Sequence, residues 1–136
     1  MFTEYQHGTL RALVNRIIPA DDYPNGWDGG VGTYLERQFA HDLQPLIATY
    51  RVGLDALDAE ARAVGGVGFA DLAPAAQDTL LEAVEHSAVT TPWPIDPERF
   101  FRTVVTHAAE GYYSDPGNGG NHGGVAWQMV GFEVNA

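Results

Sequence analysis

The sequence contains no cysteine and no lysine. Without cysteine the chain has no disulfide and no thiolate site, and its redox compartment cannot be read from composition. All seven basic residues are arginines, against 18 acidic residues, which gives a formal net charge of −11. A surface this acidic repels phosphate groups, so binding to nucleic acids or anionic membranes is disfavoured. The charge instead favours a partner protein with a basic patch.

The sequence also lacks any run of about 18 apolar residues, which a membrane-spanning helix would need. Its first five residues (MFTEY) carry neither the basic segment nor the twin-arginine pair of an export signal. We therefore expect a cytoplasmic protein, or a periplasmic one if an export signal has been trimmed from this chain.

Apolar residues make up 45% of the chain, enough for one hydrophobic core. They recur at the spacing of one helix face in five segments, bounded by proline, glycine and capping residues. The sequence thus predicts a single all-α domain over residues 1–136, with an irregular C-terminal arm. The predicted helices are 9–18, starting at Thr9; 31–49, which Pro45 could split; 50–64; 74–87; and 97–112.

Within these helices, certain apolar positions are predicted to face the core. The predicted core residues are Leu13, Ile17, Leu54, Leu57, Leu81 and Phe101. Val64 continues the apolar face of the third helix. Trp27 and Trp93 lie in loops rich in proline and glycine, where each is either a buried anchor or part of a partner surface.

The arm is rich in both glycine and aromatic residues. Seven glycines occur from Gly111 to Gly131, interleaved with three aromatics and followed directly by a fourth, Phe132. A flexible linker would carry serine rather than large rings. We predict an ordered arm that contributes to a partner interface, and the alternative is that it only seals the chain's own helices. The predicted interface residues are Tyr112, Tyr113, Trp127 and Phe132.

One small set of residues could carry metal chemistry. His107 and Glu110 are three apart on one helix face, and Asp115 and His122 follow, so their nitrogen and oxygen atoms could hold a divalent cation. A buried hydrogen bond at His107, with Glu110 capping loop amides, is favoured because di-iron bundles need two such helical pairs. No nucleotide-binding glycine motif and no nucleophile–base pair is present. The sequence therefore predicts no catalytic and no cofactor-binding residue in this chain.

Several segments together resemble the gluconate 2-dehydrogenase subunit 3 family, and they span nearly the whole chain. The C-terminal segments are the most specific. The segments are 10–22 (LRALVNRIIPADD), 50–58 (YRVGLDALD), 69–74 (FADLAP), 110–116 (EGYYSDP), 119–121 (GGN) and 125–131 (VAWQMVG).

The resemblance implies a small non-catalytic subunit of a heteromeric complex. Its partner would be a large FAD-containing subunit of the glucose–methanol–choline type, which oxidises sugars, sugar acids or glycosides. A cytochrome c subunit often accepts the electrons. Relatives typically carry a twin-arginine signal and help to export the large subunit, whereas this sequence shows no such signal. FAD is thus expected in the partner and no cofactor in this chain.

Three functions remain open from the sequence. The first is a stabilising subunit of an FAD-dependent carbohydrate oxidoreductase. The second is a stand-alone metal-dependent enzyme built on His107, Glu110, Asp115 and His122. The third is a chaperone that binds the flavoprotein only transiently.

Overall fold

A computed structural model describes residues 2–19 and 26–113 of the chain. Within these ranges the structure contains five α-helices and no strand, so the predicted all-α fold is confirmed. The predicted arm from 114 onward lies outside the described residues. The helices are α1 (Glu4–Ile17), α2 (Gly32–Phe39), α3 (Ile47–Gly65), α4 (Pro74–Glu85) and α5 (Pro97–Tyr113).

Helix α1 begins five residues before its predicted start. Thr3 caps the helix, because its hydroxyl accepts from the backbone N–H of Gln6 at 3.0 Å while the Gln6 side chain accepts from the Thr3 N–H at 3.0 Å. This reciprocal arrangement satisfies two N–H groups at the helix start. The predicted cap, Thr9, lies inside the helix, where its hydroxyl donates to the Tyr5 carbonyl. Helix α1 ends at Ile17, ahead of Pro19.

The predicted helix over 31–49 is two separate elements. Helix α2 ends at Phe39, and a short 3₁₀ turn, Gln44–Leu46, then leads into α3. Pro45 lies within that turn, where its missing N–H and its ring prevent a continuous α-helix. The predicted boundary at 49/50 was therefore wrong, and α3 starts at Ile47.

The remaining helix ends lie within two residues of the glycine, proline and capping residues from which they were predicted. Helix α3 ends at Gly65, and the left-handed φ of 81° at the following Gly66 terminates it. Helix α4 starts on Pro74 and ends at Glu85, two residues before the predicted end at 87. At the start of α5 the Asp96 carboxylate accepts from the Glu98 N–H at 3.1 Å, as expected of a cap.

Helix α5 is the central element of the described fold, because it packs against each of the other four helices. All six predicted core residues are buried. Val64 is an exception to the predicted apolar face: it is 57% exposed, since the last turn of α3 extends beyond the core. Helix α5 also approaches α3 very closely at Gly53, where a Cβ atom would overlap the ring of Phe100.

A short π-helical turn, Trp27–Val31, connects the described part of the loop to α2. Gly30 adopts a φ of 117° in this turn, a conformation that favours glycine. The neighbouring Gly29 lies directly under the ring of Tyr112, and a side chain there would overlap that ring. The turn therefore fixes the C-terminal end of α5 against the start of α2.

Candidate functional site

His107, one of the candidate metal ligands, is buried and makes a hydrogen bond within the protein. It is 9% exposed, and its Nδ1 atom lies 2.6 Å from the hydroxyl of the fully buried Tyr50. The two rings are stacked with their centroids 5.8 Å apart. The predicted buried hydrogen bond at His107 is thus confirmed.

Burial determines the protonation of this pair. It raises the pKa of Tyr50 far above its usual value, with a smaller contribution from the charge of Glu110. Burial also lowers the pKa of His107, an effect that the charge of Glu110 partly opposes. The tyrosine therefore stays protonated and donates to Nδ1, and we assign the imidazole proton to Nε2. A neutral histidine whose Nδ1 is used in this way contributes to structure.

Glu110 takes no part in the hydrogen bond between Tyr50 and His107, and it instead pairs with Tyr34 of helix α2. Burial raises the pKa of the Tyr34 hydroxyl, and the nearby Glu110 carboxylate raises it further through its charge and a hydrogen bond. Asp115 and His122, the other two candidate ligands, lie outside the described residues, as do the loop amides that Glu110 was expected to cap. Within 2–19 and 26–113 no three histidine, aspartate or glutamate side chains come together as a metal site would require.

The predicted interface residues are only partly described. The ring of Tyr112 is fully buried against Gly29, so it belongs to the chain's own core, whereas the sequence placed it in a partner interface. The physical reason is the small residue opposite, which lets the ring enter the helical core. Tyr113 ends α5, and Trp127 and Phe132 lie outside the described residues, so their interface role stays a prediction.

A glutamate that the sequence did not single out makes a dense set of hydrogen bonds. Glu60 on α3 is 2% exposed, and its two carboxylate oxygens accept from the loop before α5. Oε2 accepts from the N–H and hydroxyl of Thr90 at 2.8 and 2.9 Å, and Oε1 from the same groups of Thr91 at 3.0 and 2.5 Å. Burial opposes ionisation of Glu60, but these four hydrogen bonds outweigh it and lower its pKa. The carboxylate therefore holds the loop onto the helix.

The described surface also contains an apolar cleft between α1 and α2, with a volume of about 240 Å³. Two edge-to-face ring pairs shape it: Phe2 with Phe39, and His7 with Trp27, each with centroids 5.2 Å apart. Glu36 is exposed at its rim. The lining residues are Phe2, His7, Leu10, Trp27, Leu35, Glu36 and Phe39.

The cleft walls are held in place by contacts behind them. The backbone N–H of Trp27 donates to the Asn15 side chain at 3.0 Å, and the indole lies over Gly32, where a Cβ would overlap it. Phe39 packs edge-to-face on Tyr50 with ring centroids 4.8 Å apart. The sequence left two roles open for Trp27, a buried anchor or part of a partner surface. Trp27 is half-buried and has features of both, because it is anchored from behind and one side of it lines a surface cleft. Sequence reasoning missed the cleft because its walls come from three separate segments.

Comparison with known families identifies the chain. Gluconate 2-dehydrogenase subunit 3 matches residues 4–133. The chain belongs to this family. The family suspected from residues 10–22 and from the C-terminal segments is thereby confirmed. No curated protein and no solved structure is similar enough to count as a match.

Membership in the gluconate 2-dehydrogenase subunit 3 family is consistent with an accessory subunit of a dehydrogenase complex. In this subunit 3 member, the buried polar side chains of the described residues join its own helices and loops. Gln6 on α1, for example, donates to the Asp55 carboxylate of α3 at 3.1 and 3.2 Å. No helix among the described residues is long and apolar enough to cross a membrane.

Proposed function

We propose that the chain is a non-catalytic accessory subunit that binds and stabilises a large FAD-dependent subunit of the glucose–methanol–choline type. The observation that carries this proposal is the family match over residues 4–133, whose description names a subunit of a dehydrogenase. In this proposal the flavin and the oxidation of the sugar, sugar acid or glycoside belong to the partner. A cytoplasmic location, or a periplasmic one if an export signal has been trimmed, remains an expectation from the sequence, and a cytochrome c electron acceptor is what the family resemblance implies.

Two positive features of the described residues support a structural role. The polar groups best suited to chemistry, His107 and Glu60, are each used in buried hydrogen bonds within the chain. The surface offers a preformed aromatic cleft instead, and such sites suit the recognition of a partner's side chain. An accessory function fits a subunit with a rigid surface whose buried polar groups hydrogen-bond within its own fold.

The proposal is tested by co-expressing the chain with the candidate flavoprotein subunit of the same genome. We expect a complex that survives size-exclusion chromatography, carries flavin absorbance, and oxidises a carbohydrate with an artificial electron acceptor. The chain purified alone is expected to be colourless and inactive. Flavin retained by the isolated chain, or oxidation by it alone, contradicts the proposal.

Two further measurements separate the alternative functions. Elemental analysis of the isolated chain tests the metal-dependent enzyme, because a stoichiometric metal together with activity lost on chelation would replace our proposal by that one. Sedimentation of the purified mixture tests the chaperone. A flavoprotein that is active and stable after the small chain has dissociated would indicate transient assistance rather than a lasting subunit.

A further inference from the structure

The cleft between α1 and α2 is large enough to hold one large side chain. Its volume of about 240 Å³ lies below the range of about 300–1,000 Å³ that is usual for sites of small molecules and cofactors. Aromatic and aliphatic side chains form most of the lining. An apolar side chain from another protein is therefore a better match than a polar metabolite.

The cleft is also preorganised. Trp27 is fixed by its hydrogen bond to Asn15 and by contact with Gly32, and Phe39 is fixed by the buried Tyr50. Binding at a site whose walls are already in place loses little conformational entropy. A well-packed aromatic pocket of this kind is where interfaces concentrate their binding energy.

The charge at the rim selects the kind of partner. Glu36 is exposed beside the apolar walls, and the whole chain carries a formal charge of −11. A second copy of the chain would bring the same negative charge to the contact, which is unfavourable. Residues 114–136 contain no arginine or lysine and so offer Glu36 no permanently charged cation. A different protein with a basic surface avoids the contact between like charges and supplies a cation to Glu36.

We propose that this cleft receives one large apolar side chain of the dehydrogenase partner, flanked on that partner by an arginine or lysine that pairs with Glu36. The inference rests on the proposed function and goes further, since it assigns the contact to a named surface and gives the partner's surface its chemistry. It places the interface on α1, α2 and Trp27, in addition to the arm predicted from the sequence.

The first test compares two charge reversals by their affinity for the purified flavoprotein subunit. Glu36→Arg changes the rim, whereas Glu82→Arg changes an exposed residue of α4, which contributes nothing to the cleft. Both variants alter the net charge by the same amount, so long-range attraction weakens equally. We expect Glu36→Arg to raise Kd about 10-fold more than Glu82→Arg, because it places a cation opposite the partner's cation. Trp27→Ala, checked for an unchanged melting curve, should raise Kd by about 30-fold or more.

The second test observes the cleft directly. The full chain is labelled with fluorotryptophan, and the Trp27 signal in its fluorine NMR spectrum is assigned by its loss in Trp27→Phe. Addition of the unlabelled flavoprotein subunit should shift the Trp27 signal. Trp93, which does not line the cleft, serves as the internal reference.

The outcomes separate failure of the inference from failure of the proposed function. If the unaltered chain does not bind the flavoprotein subunit, both are overturned. If it binds, but Glu36→Arg equals Glu82→Arg and the Trp27 signal stays in place, only the cleft assignment is overturned. The cleft assignment also falls if Trp127→Ala shifts the Trp27 signal in the isolated chain, which would identify the arm as the occupant. It falls likewise if that signal shifts with concentration of the isolated chain, which would indicate a second copy.

Discussion

The substitution Glu60→Gln tests how the loop before α5 is held to the core. It preserves the size of the side chain but removes the charge and turns one acceptor oxygen into an NH₂ donor. Each carboxylate oxygen accepts from one backbone N–H and one hydroxyl, of Thr90 or Thr91. Whichever way the amide is oriented, its NH₂ group therefore faces a backbone donor that cannot turn away.

The expected loss of stability follows from these contacts. A backbone N–H left without an acceptor costs about 1–3 kcal/mol, and each of the two remaining hydrogen bonds loses about 1 kcal/mol when its acceptor becomes neutral. The uncharged amide is easier to bury than the carboxylate, which offsets part of this sum. We expect Glu60→Gln to lower the free energy of unfolding by about 2–4 kcal/mol.

Urea denaturation at neutral pH measures this difference, with Glu82→Gln as the control. Glu82 is exposed on α4, so its substitution should change stability by less than about 0.5 kcal/mol. A Glu60→Gln variant as stable as the control variant would show that these four hydrogen bonds do not hold the loop to the core.

Acidification provides a second check on Glu60. Because folding lowers its pKa, ionised Glu60 contributes stability above the ordinary glutamate value of 4.5, and that stability is lost as the pH falls through the lowered folded pKa. The gap between the unaltered chain and Glu60→Gln should therefore be widest at neutral pH and shrink below about pH 4.5. A gap that stays constant with pH would show that the charge of Glu60 is not what holds the loop.

Two other substitutions test the packing around α5. Gly53→Ala should lower the melting temperature, at a cost of about 1–3 kcal/mol, because its Cβ would overlap the ring of Phe100. Gly8→Ala in α1 meets nothing within 4 Å and should instead stabilise the chain by about 0.5–1 kcal/mol, so equal effects of the two would contradict the close approach of α3 and α5. Tyr50→Phe keeps the ring but removes the donor to His107, and a loss of about 1–2 kcal/mol is expected in thermal unfolding. No loss would mean that the hydrogen bond contributes nothing to stability.

The helices and most of the core could be predicted from the sequence because their causes are local. Apolar spacing placed Leu13 and Leu54 on buried faces, and prolines marked the starts of α4 and α5. The predictions failed where a short-range signal was overlooked. The capping pair Thr3 and Gln6, which was not recognised in the sequence, sets the start of α1 at Glu4 instead of Thr9.

The candidate sites were harder to predict because they join residues distant in the chain. Glu60 meets its partners 30 and 31 residues away, and no motif announces such a contact. The cleft combines Phe2, Trp27 and Phe39, whose relation depends on how α1 and α2 each pack against the Trp27–Val31 turn. The position of Tyr112 also depends on a residue distant in the chain. Its aromatic ring predicted an interface residue, but Gly29 lies opposite it and leaves room for the ring in the core.

We have proposed that this chain is an accessory subunit that binds and stabilises a flavoprotein dehydrogenase. The decisive experiment measures the mass of the co-expressed complex by light scattering, together with its carbohydrate oxidation before and after the small chain is removed. We expect one discrete heteromeric mass, and a flavoprotein that loses stability and activity once the small chain is gone. A flavoprotein that never associates with the chain, or that is equally stable and active without it, would show that the chain is not a stabilising subunit of that enzyme.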